Sequence, residues 1–175
     1  MHNQIKLFYV TVVIAMGGCV LSPAFGQQVK PDCIDDNRDC MISAAEAYLD
    51  ALITHDASNV PFAKMARRTE QGAVTAVGEQ ALRDSTKLQP DMTEHANTRY
   101  FVDEQTNNVV VYTLLRIPGT KADPNRKSYS DGRDPSPSTV HLAERFKVEK
   151  GLITEIEALF WIEDGTDQGV SNWPD

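Results

Sequence analysis

The sequence predicts a single α+β domain. A stretch with helical hydrophobic spacing lies early in the chain, a block of β-branched and aromatic stretches follows it, and short turn-forming segments separate those stretches. A length of 175 residues sets one domain as the expectation, and a hydrophobic fraction of 41% excludes a disordered chain. With 17 Lys and Arg against 25 Asp and Glu, the net charge is -8, so most of the surface repels a phosphate backbone and no nucleic acid partner is expected.

In chain order, Met1–Lys6 carries one Lys and no acid, and Leu7–Met16 is apolar almost throughout. That run is too short to cross a bilayer as a helix of about 20 residues. Ala24 and Gly26 are small residues before a cut ahead of Gln27, so residues 1–26 read as a signal peptide. The expected product is secreted or periplasmic, with no transmembrane span after signal removal. Met16-Gly17-Gly18-Cys19 offers the alternative of a lipoprotein box and a membrane anchor through Cys19.

Export permits disulfides, and the mature chain keeps an even pair, Cys33 and Cys40. On a helix their spacing spans roughly 10 Å of rise, beyond the reach of about 4.4 to 6.8 Å that a disulfide allows between Cα atoms. Residues 27–40 are therefore expected as a loop-like N-terminal segment closed by a Cys33–Cys40 bridge. Asp35, Asn37, Asp39, Ile42 and Glu46 also match positions of a calcium-loop template, but Cys40 stands where the sharp turn calls for Gly. A helix start with Asp39 as N-cap accounts for the same residues, and no metal is expected.

Met41–Thr54 places Ile42, Ala45, Tyr48, Leu49, Leu52 and Ile53 on one helical face. His55-Asp56-Ala57-Ser58 ends the helix, Asp56 can cap a further turn, and Pro61 enforces an extended segment. Phe62–Glu70 reads as a strand, residues 72–77 have no clear pattern, Glu79–Lys87 is weakly helical, and Gln89-Pro90 opens a polar loop to about Asn97. Strands are expected at Arg99–Asp103, Asn108–Ile117, Thr139–Glu149 and Leu152–Ile162, with tight connections at Thr106-Asn107 and Lys150-Gly151. Residues 118–138 form a long breaker-rich insertion, read as disorder or a lid. The domain proper spans 41–163, and 164–175 is a polar tail.

The helix AAEAYLDALITHDASNVPFA, the extended segment RRTEQG and the closing strands RFKVEKGLITEIEALF resemble the nuclear transport factor two-like, or SnoaL-like, superfamily. They resemble in particular an uncharacterised secreted bacterial and fungal branch of it. The resemblance covers most of Ser43 to Phe160 apart from the insertion. It implies a conical fold, in which a curved antiparallel sheet wraps N-terminal helices around a pocket, and often a homodimer through the sheet's outer face. The branch usually shows Gly-Leu-Trp after its Thr-Glu-x-Gly segment, whereas this chain has Gly78-Glu79-Gln80-Ala81-Leu82. Fold does not imply function here, since the superfamily holds isomerases, cyclases, hydrolases and binding proteins.

The candidate site rests on the final hairpin. Setting Val148 opposite Leu152 across a type I turn puts Val140, Leu142, Glu144, Phe146 and Val148 on one face with Leu152, Thr154, Ile156, Ala158 and Phe160, and pairs Arg145 with Glu155 on the other. Glu144 is the lone carboxylate on that apolar face, and desolvation there would fit it for general acid or base work. Tyr112 is a candidate hydrogen-bond donor to a developing oxyanion, by likeness to the superfamily's steroid isomerases. Glu70, His55, Phe146 and Phe160 are candidate pocket lining, with capping a sufficient account of His55 and a surface ion pair the alternative for Glu70. No phosphate loop or nucleophile elbow appears, the three mature histidines lack ligand spacing, and oxidised cysteines cannot serve as nucleophiles. No cofactor is expected. The sequence leans toward binding a hydrophobic small molecule, with a cofactor-free isomerase, lyase or hydrolase using Glu144 as the alternative.

Overall fold

The computed structural model describes Cys33, residues 35–118 and residues 137–164. The expected signal peptide, Cys19, residues 119–136 of the insertion and residues 165–175 of the tail lie outside the described residues. In chain order the elements are α1 (Arg38–Thr54), β1 (Phe62–Glu70), β2 (Ala73–Val77), α2 (Glu79–Thr86), β3 (Glu94–Asp103), β4 (Asn108–Ile117), β5 (Ser138–Glu149) and β6 (Leu152–Asp164). The strands form one sheet in the order β2-β1-β6-β5-β4-β3. The sheet is open, curved and mixed: β1 runs parallel to β6 and every other neighbouring pair is antiparallel. The single parallel pairing adds to the antiparallel sheet expected, and it follows from β1 entering the sheet beside the last strand rather than beside β3.

Helix α1 packs on one face of the sheet, its inner face, against β3, β4, β5 and β6. Its buried side is Met41, Ala44, Ala45, Tyr48, Leu49, Ala51 and Leu52, so Ile42 and Ile53 of the expected stripe fall on its partly buried flanks. These residues share one core with Val109, Val111, Phe146, Val148, Ile153 and Ile156 from the sheet. Each large side chain removed from water there contributes about 1.5–3 kcal/mol. Tyr48 is the central contact, edge-on to Phe146 at 5.4 Å and to Phe62 at 6.1 Å between ring centroids. The helix is capped by Asn37, whose side-chain oxygen accepts from the Cys40 N–H at 3.0 Å, and not by Asp39. His55 closes it in the left-handed conformation, and Asp56 caps the next turn by accepting from the Ser58 N–H at 2.9 Å.

Local irregularities account for most departures from the expected elements. Strand β2, unread in the sequence, follows a turn in which Gln71 and Gly72 both take positive φ. Strand β3 starts at Glu94 rather than Arg99, because a register shift near Asn97, itself at positive φ, interrupts the alternation there. Helix α2 is fixed to the segment after α1 by Arg83, which donates to the Ala57 and Val60 carbonyls, pairs with Glu79 and lies over the Phe62 ring.

The β5–β6 turn corrects the register set from sequence. Lys150 and Gly151 both have positive φ, which is a two-residue turn matched to strand twist, so Glu149 rather than Val148 stands opposite Leu152. The same register seats Ile153 opposite Val148, and a bulge at Thr154 then sets Glu155 opposite Lys147 and Ile156 opposite Phe146. Leu152 is consequently exposed and Ile153 fully buried. The bulge restores parity, so Thr154 apart, the inner face beyond it carries the residues expected. Cys33 and Cys40 are bonded, with Cα atoms 5.4 Å apart. Their loop sits on this turn: a Cβ on Gly151 would lie 1.6 Å from the Cys33 carbonyl oxygen, and Asp36 accepts from the Gly151 N–H and the Asn107 side chain.

Candidate functional site

Strand register arranges the inner face in transverse rows. One row runs Glu70, Ala158, Glu144, Val111, Tyr100 across β1, β6, β5, β4 and β3, and the next runs Arg68, Ile156, Phe146, Val109, Val102. Ala158, the smallest member of its row, stands between the two glutamates. Glu70 and Glu144 are thus two strands apart, about 9–10 Å between Cα atoms, with Arg68 two residues before Glu70 on β1 and diagonal to Glu144, and Tyr48 reaching Arg68 from α1.

Glu144 is 2% exposed, and its Oε2 is buried without a hydrogen-bond partner among the described residues. Burial raises its carboxyl to about 8; the Arg68 cation works against that shift and Glu70 adds to it. At neutral pH Glu144 therefore holds its proton. Leaving a polar atom unpaired in such a place costs about 1–3 kcal/mol. Arg68, also nearly fully buried, donates through Nη1 to the Tyr48 hydroxyl at 3.1 Å and through Nε to Thr75 at 3.0 Å, and pairs with Glu70 at 3.2 Å. Burial disfavours its charge, but Tyr48, Glu70 and Glu144 together keep it firmly protonated. Burial and the nearby Glu144 hold the Tyr48 hydroxyl well above the usual phenol range, so it stays neutral. The arrangement offers a proton-bearing carboxyl and an ion-paired carboxylate under one guanidinium.

Of the candidate residues, Glu144, Glu70 and Phe146 come together here. Glu70 is partly buried and paired with the buried Arg68, so the pair is not a surface one. Phe160 is partly buried on the same face, opposite Leu142. Tyr112 is not part of the site: it lies opposite Ala143 on the outer face, half exposed, edge-on to Phe101. Parity separates it from Glu144, whose strand neighbour is Val111. His55 sits at the C-terminal end of α1 with its Nε2 on the Pro90 carbonyl at 3.2 Å, which is a structural placement. The expected Arg145–Glu155 pair is present at 3.0 Å on the outer face, although Glu157 is the residue directly opposite and bonds as well.

Two members of the cluster, Arg68 and Tyr48, are absent from the sequence-derived candidates. Tyr48 counts there as part of an apolar helix face, and Arg68 stands only within the extended segment RRTEQG. The usable signal is the alternation Ala66, Arg68, Glu70, which puts an arginine and a carboxylate on the face of a buried alanine. Among the described residues no group of three or more His, Cys, Asp or Glu side chains is placed to hold a metal. No described helix is long and apolar enough to cross a membrane.

A family model described as a domain of unknown function, DUF8021, matches residues 35–160. The chain belongs to the DUF8021 family. A search of curated proteins finds no match to its sequence. Among solved structures, the DUF8021 domain is similar to SalBIII, an epoxide hydrolase/cyclase-like enzyme with a role in pyran ring formation in the polyether salinomycin, at TM-score 0.56 and 15% identity over 74% of this chain and 99% of that one. An NTF2-like protein from Anabaena variabilis is similar at TM-score 0.55 and 12% identity, over 74% and 92% of the two chains. An LEH-like epoxide hydrolase from M. tuberculosis is similar at TM-score 0.50 and 16% identity, over 70% and 84%. At these identities the likeness establishes the fold: the DUF8021 domain has the NTF2-like, SnoaL-like α+β architecture.

Proposed function

We propose that this domain is a cofactor-free enzyme that takes a small, largely apolar, oxygen-bearing molecule against the inner face of its sheet and acts on it by proton transfer. The observation that carries the reading is Glu144, a buried carboxyl with an oxygen unpartnered among the described residues, in the field of Arg68, which pairs with a second carboxylate, Glu70. Glu144 gives its proton to the oxygen of the bound molecule, and Glu70 takes one from the attacking water or the adjacent carbon. Arg68 offsets the negative charge that develops when Glu144 ionises, and Tyr48 fixes the guanidinium in place. The solved relatives named for epoxide hydrolase and cyclase chemistry fit this class of reaction, in which a ring oxygen is protonated as a carbon–oxygen bond opens or forms.

A second reading, binding without chemistry, is favoured by the rest of the inner face, where Phe146, Val111, Leu142 and Phe160 are apolar and offer no reacting group. Native mass spectrometry of gently purified chain identifies any retained molecule and decides between them. Under the enzymatic reading Glu144→Gln keeps binding and lowers conversion of that molecule by about 10²- to 10⁴-fold. A Gln variant that converts it at the parent rate removes Glu144 from the mechanism, and a molecule that no variant alters supports binding alone. The same spectrum tests export. A chain beginning at Gln27 is the expected product, and a lipid adduct on Cys19 replaces secretion with anchoring. Self-association through the outer face, where Phe101, Tyr112, Leu159 and Trp161 are exposed, completes the proposal.

A further inference from the structure

A second polar chain crosses the inner side of the sheet beside the site. Asp50 on α1 meets His95 Nε2 at 3.0 Å; His95 Nδ1 meets the Thr98 hydroxyl at 3.1 Å; the Thr98 hydroxyl meets that of Thr113 at 2.8 Å. Its two ends differ in surroundings. The Asp50 side chain is 60% exposed, whereas Thr113 is 4% exposed. The chain thus leads from solvent into the core through groups that each accept a proton on one side and release one on the other.

Its inner end lies on β4, the strand beside that of Glu144. Val111 is the β4 residue opposite Glu144, and Thr113 is opposite Leu142. Thr113 and Glu144 are therefore a diagonal cross-strand pair on one buried face, with Cα atoms about 7–8 Å apart, a separation that a long side chain or one water spans. Glu144 Oε2, buried and without a partner among the described residues, belongs to the side chain at the end of that diagonal. The irregularity in β3 serves the same chain. The register shift between Ala96 and Arg99, with Asn97 at positive φ, accompanies the approach of Thr98 to Thr113.

We propose that Asp50, His95, Thr98 and Thr113 form a proton relay that returns a proton to Glu144 after it has acted as an acid. The inference rests on the acid role given to Glu144 above. In one cycle the Thr113 hydroxyl passes its proton to the Glu144 carboxylate, directly or through one water, and takes the hydroxyl proton of Thr98. Thr98 takes the Nδ1 proton of His95, and His95 takes a proton at Nε2 from Asp50, which is recharged by solvent. One proton enters at Asp50 and one arrives at Glu144, with no change in electron count. The Thr113 hydroxyl rests on the Ala96 carbonyl at 3.1 Å; rotation about its Cβ–Oγ1 bond redirects the proton. His95 and the threonines are positioning and relay groups that act through Glu144.

The test is a pH jump followed by infrared absorption of the protonated carboxyl of Glu144 in the full chain, with E144Q identifying the band. His95→Ala and Thr113→Val are expected to slow the appearance of the band by roughly tenfold or more while leaving its final amplitude unchanged. Thr113→Ser is expected to keep the parent rate, and imidazole added to the H95A buffer to restore it in part. Those last two results are not produced by a purely structural role. If H95A destabilises the fold, His95→Gln carries the same measurement. Parent rates in both H95A and T113V overturn the relay while leaving the acid intact. A parent chain with no band sensitive to E144Q overturns the acid, and the relay with it.

Discussion

At the residue scale, burial moves the Glu144 carboxyl from an ordinary 4.5 to about 8. Between those values the folded chain holds a proton that the unfolded chain has released, so stability falls as pH rises through this window and levels off above it. The slope approaches about 1.4 kcal/mol per pH unit where no other group intervenes. Glu144→Gln, neutral at every pH, is expected to flatten that slope and to exceed the parent in stability above about pH 8, as read by urea unfolding across the range. An unchanged slope contradicts the placement of the acid. Tyr48→Phe is expected to cost about 1–3 kcal/mol in the same assay, because it strips a buried guanidinium N–H of its acceptor. Glu144 was legible in the sequence because strand parity survives a register error of two. Arg68 and Tyr48 were not, since a single buried hydrogen bond between a strand and a helix leaves no periodic trace.

At the element scale, the Cys33–Cys40 loop holds the start of α1 against the turns of the β3–β4 and β5–β6 hairpins, through Asp36 on Asn107 and Gly151. Replacing both cysteines with alanine is expected to lower stability by about 2–3 kcal/mol, the loop-closure entropy of so short a ring. Gly151→Ala is expected to cost more than about 1 kcal/mol in the native chain, since its positive φ and the Cys33 carbonyl both oppose a Cβ. The cost should shrink in the cysteine-free background, where Cys33 is free to move, and a double-mutant cycle measures that coupling. Equal costs in the two backgrounds would mean that the clip and the turn are independent. Helix α1 and strands β1, β4, β5 and β6 were legible because each runs over nine residues or more, long enough for its pattern to survive the bulge in β6. Strand β2 and the first half of β3 were hidden by positive-φ residues at Gln71, Gly72 and Asn97, which read as loop in any local pattern.

At the scale of the whole molecule, the sheet has two unlike faces. The inner one is covered by α1 and carries the Glu70, Arg68 and Glu144 cluster, while the outer one leaves Phe101, Tyr112, Leu159 and Trp161 in water. If that outer face closes a dimer, Leu159→Lys combined with Trp161→Glu is expected to halve the mass seen by analytical ultracentrifugation without altering Glu144. A parent chain that already sediments as a monomer contradicts the dimer. The fold class was legible from one helix and four strands, but the chemistry required the sheet's cross-strand order, which no local pattern encodes: β1 reaches Glu144 only because it lies beside β6. The central claim is that Glu144 is a buried, proton-bearing acid. Carbon-13 NMR titration of glutamate-labelled chain, with E144Q to assign the resonance, measures it directly. The expected midpoint is about 8; a midpoint at the ordinary carboxylate value would contradict it.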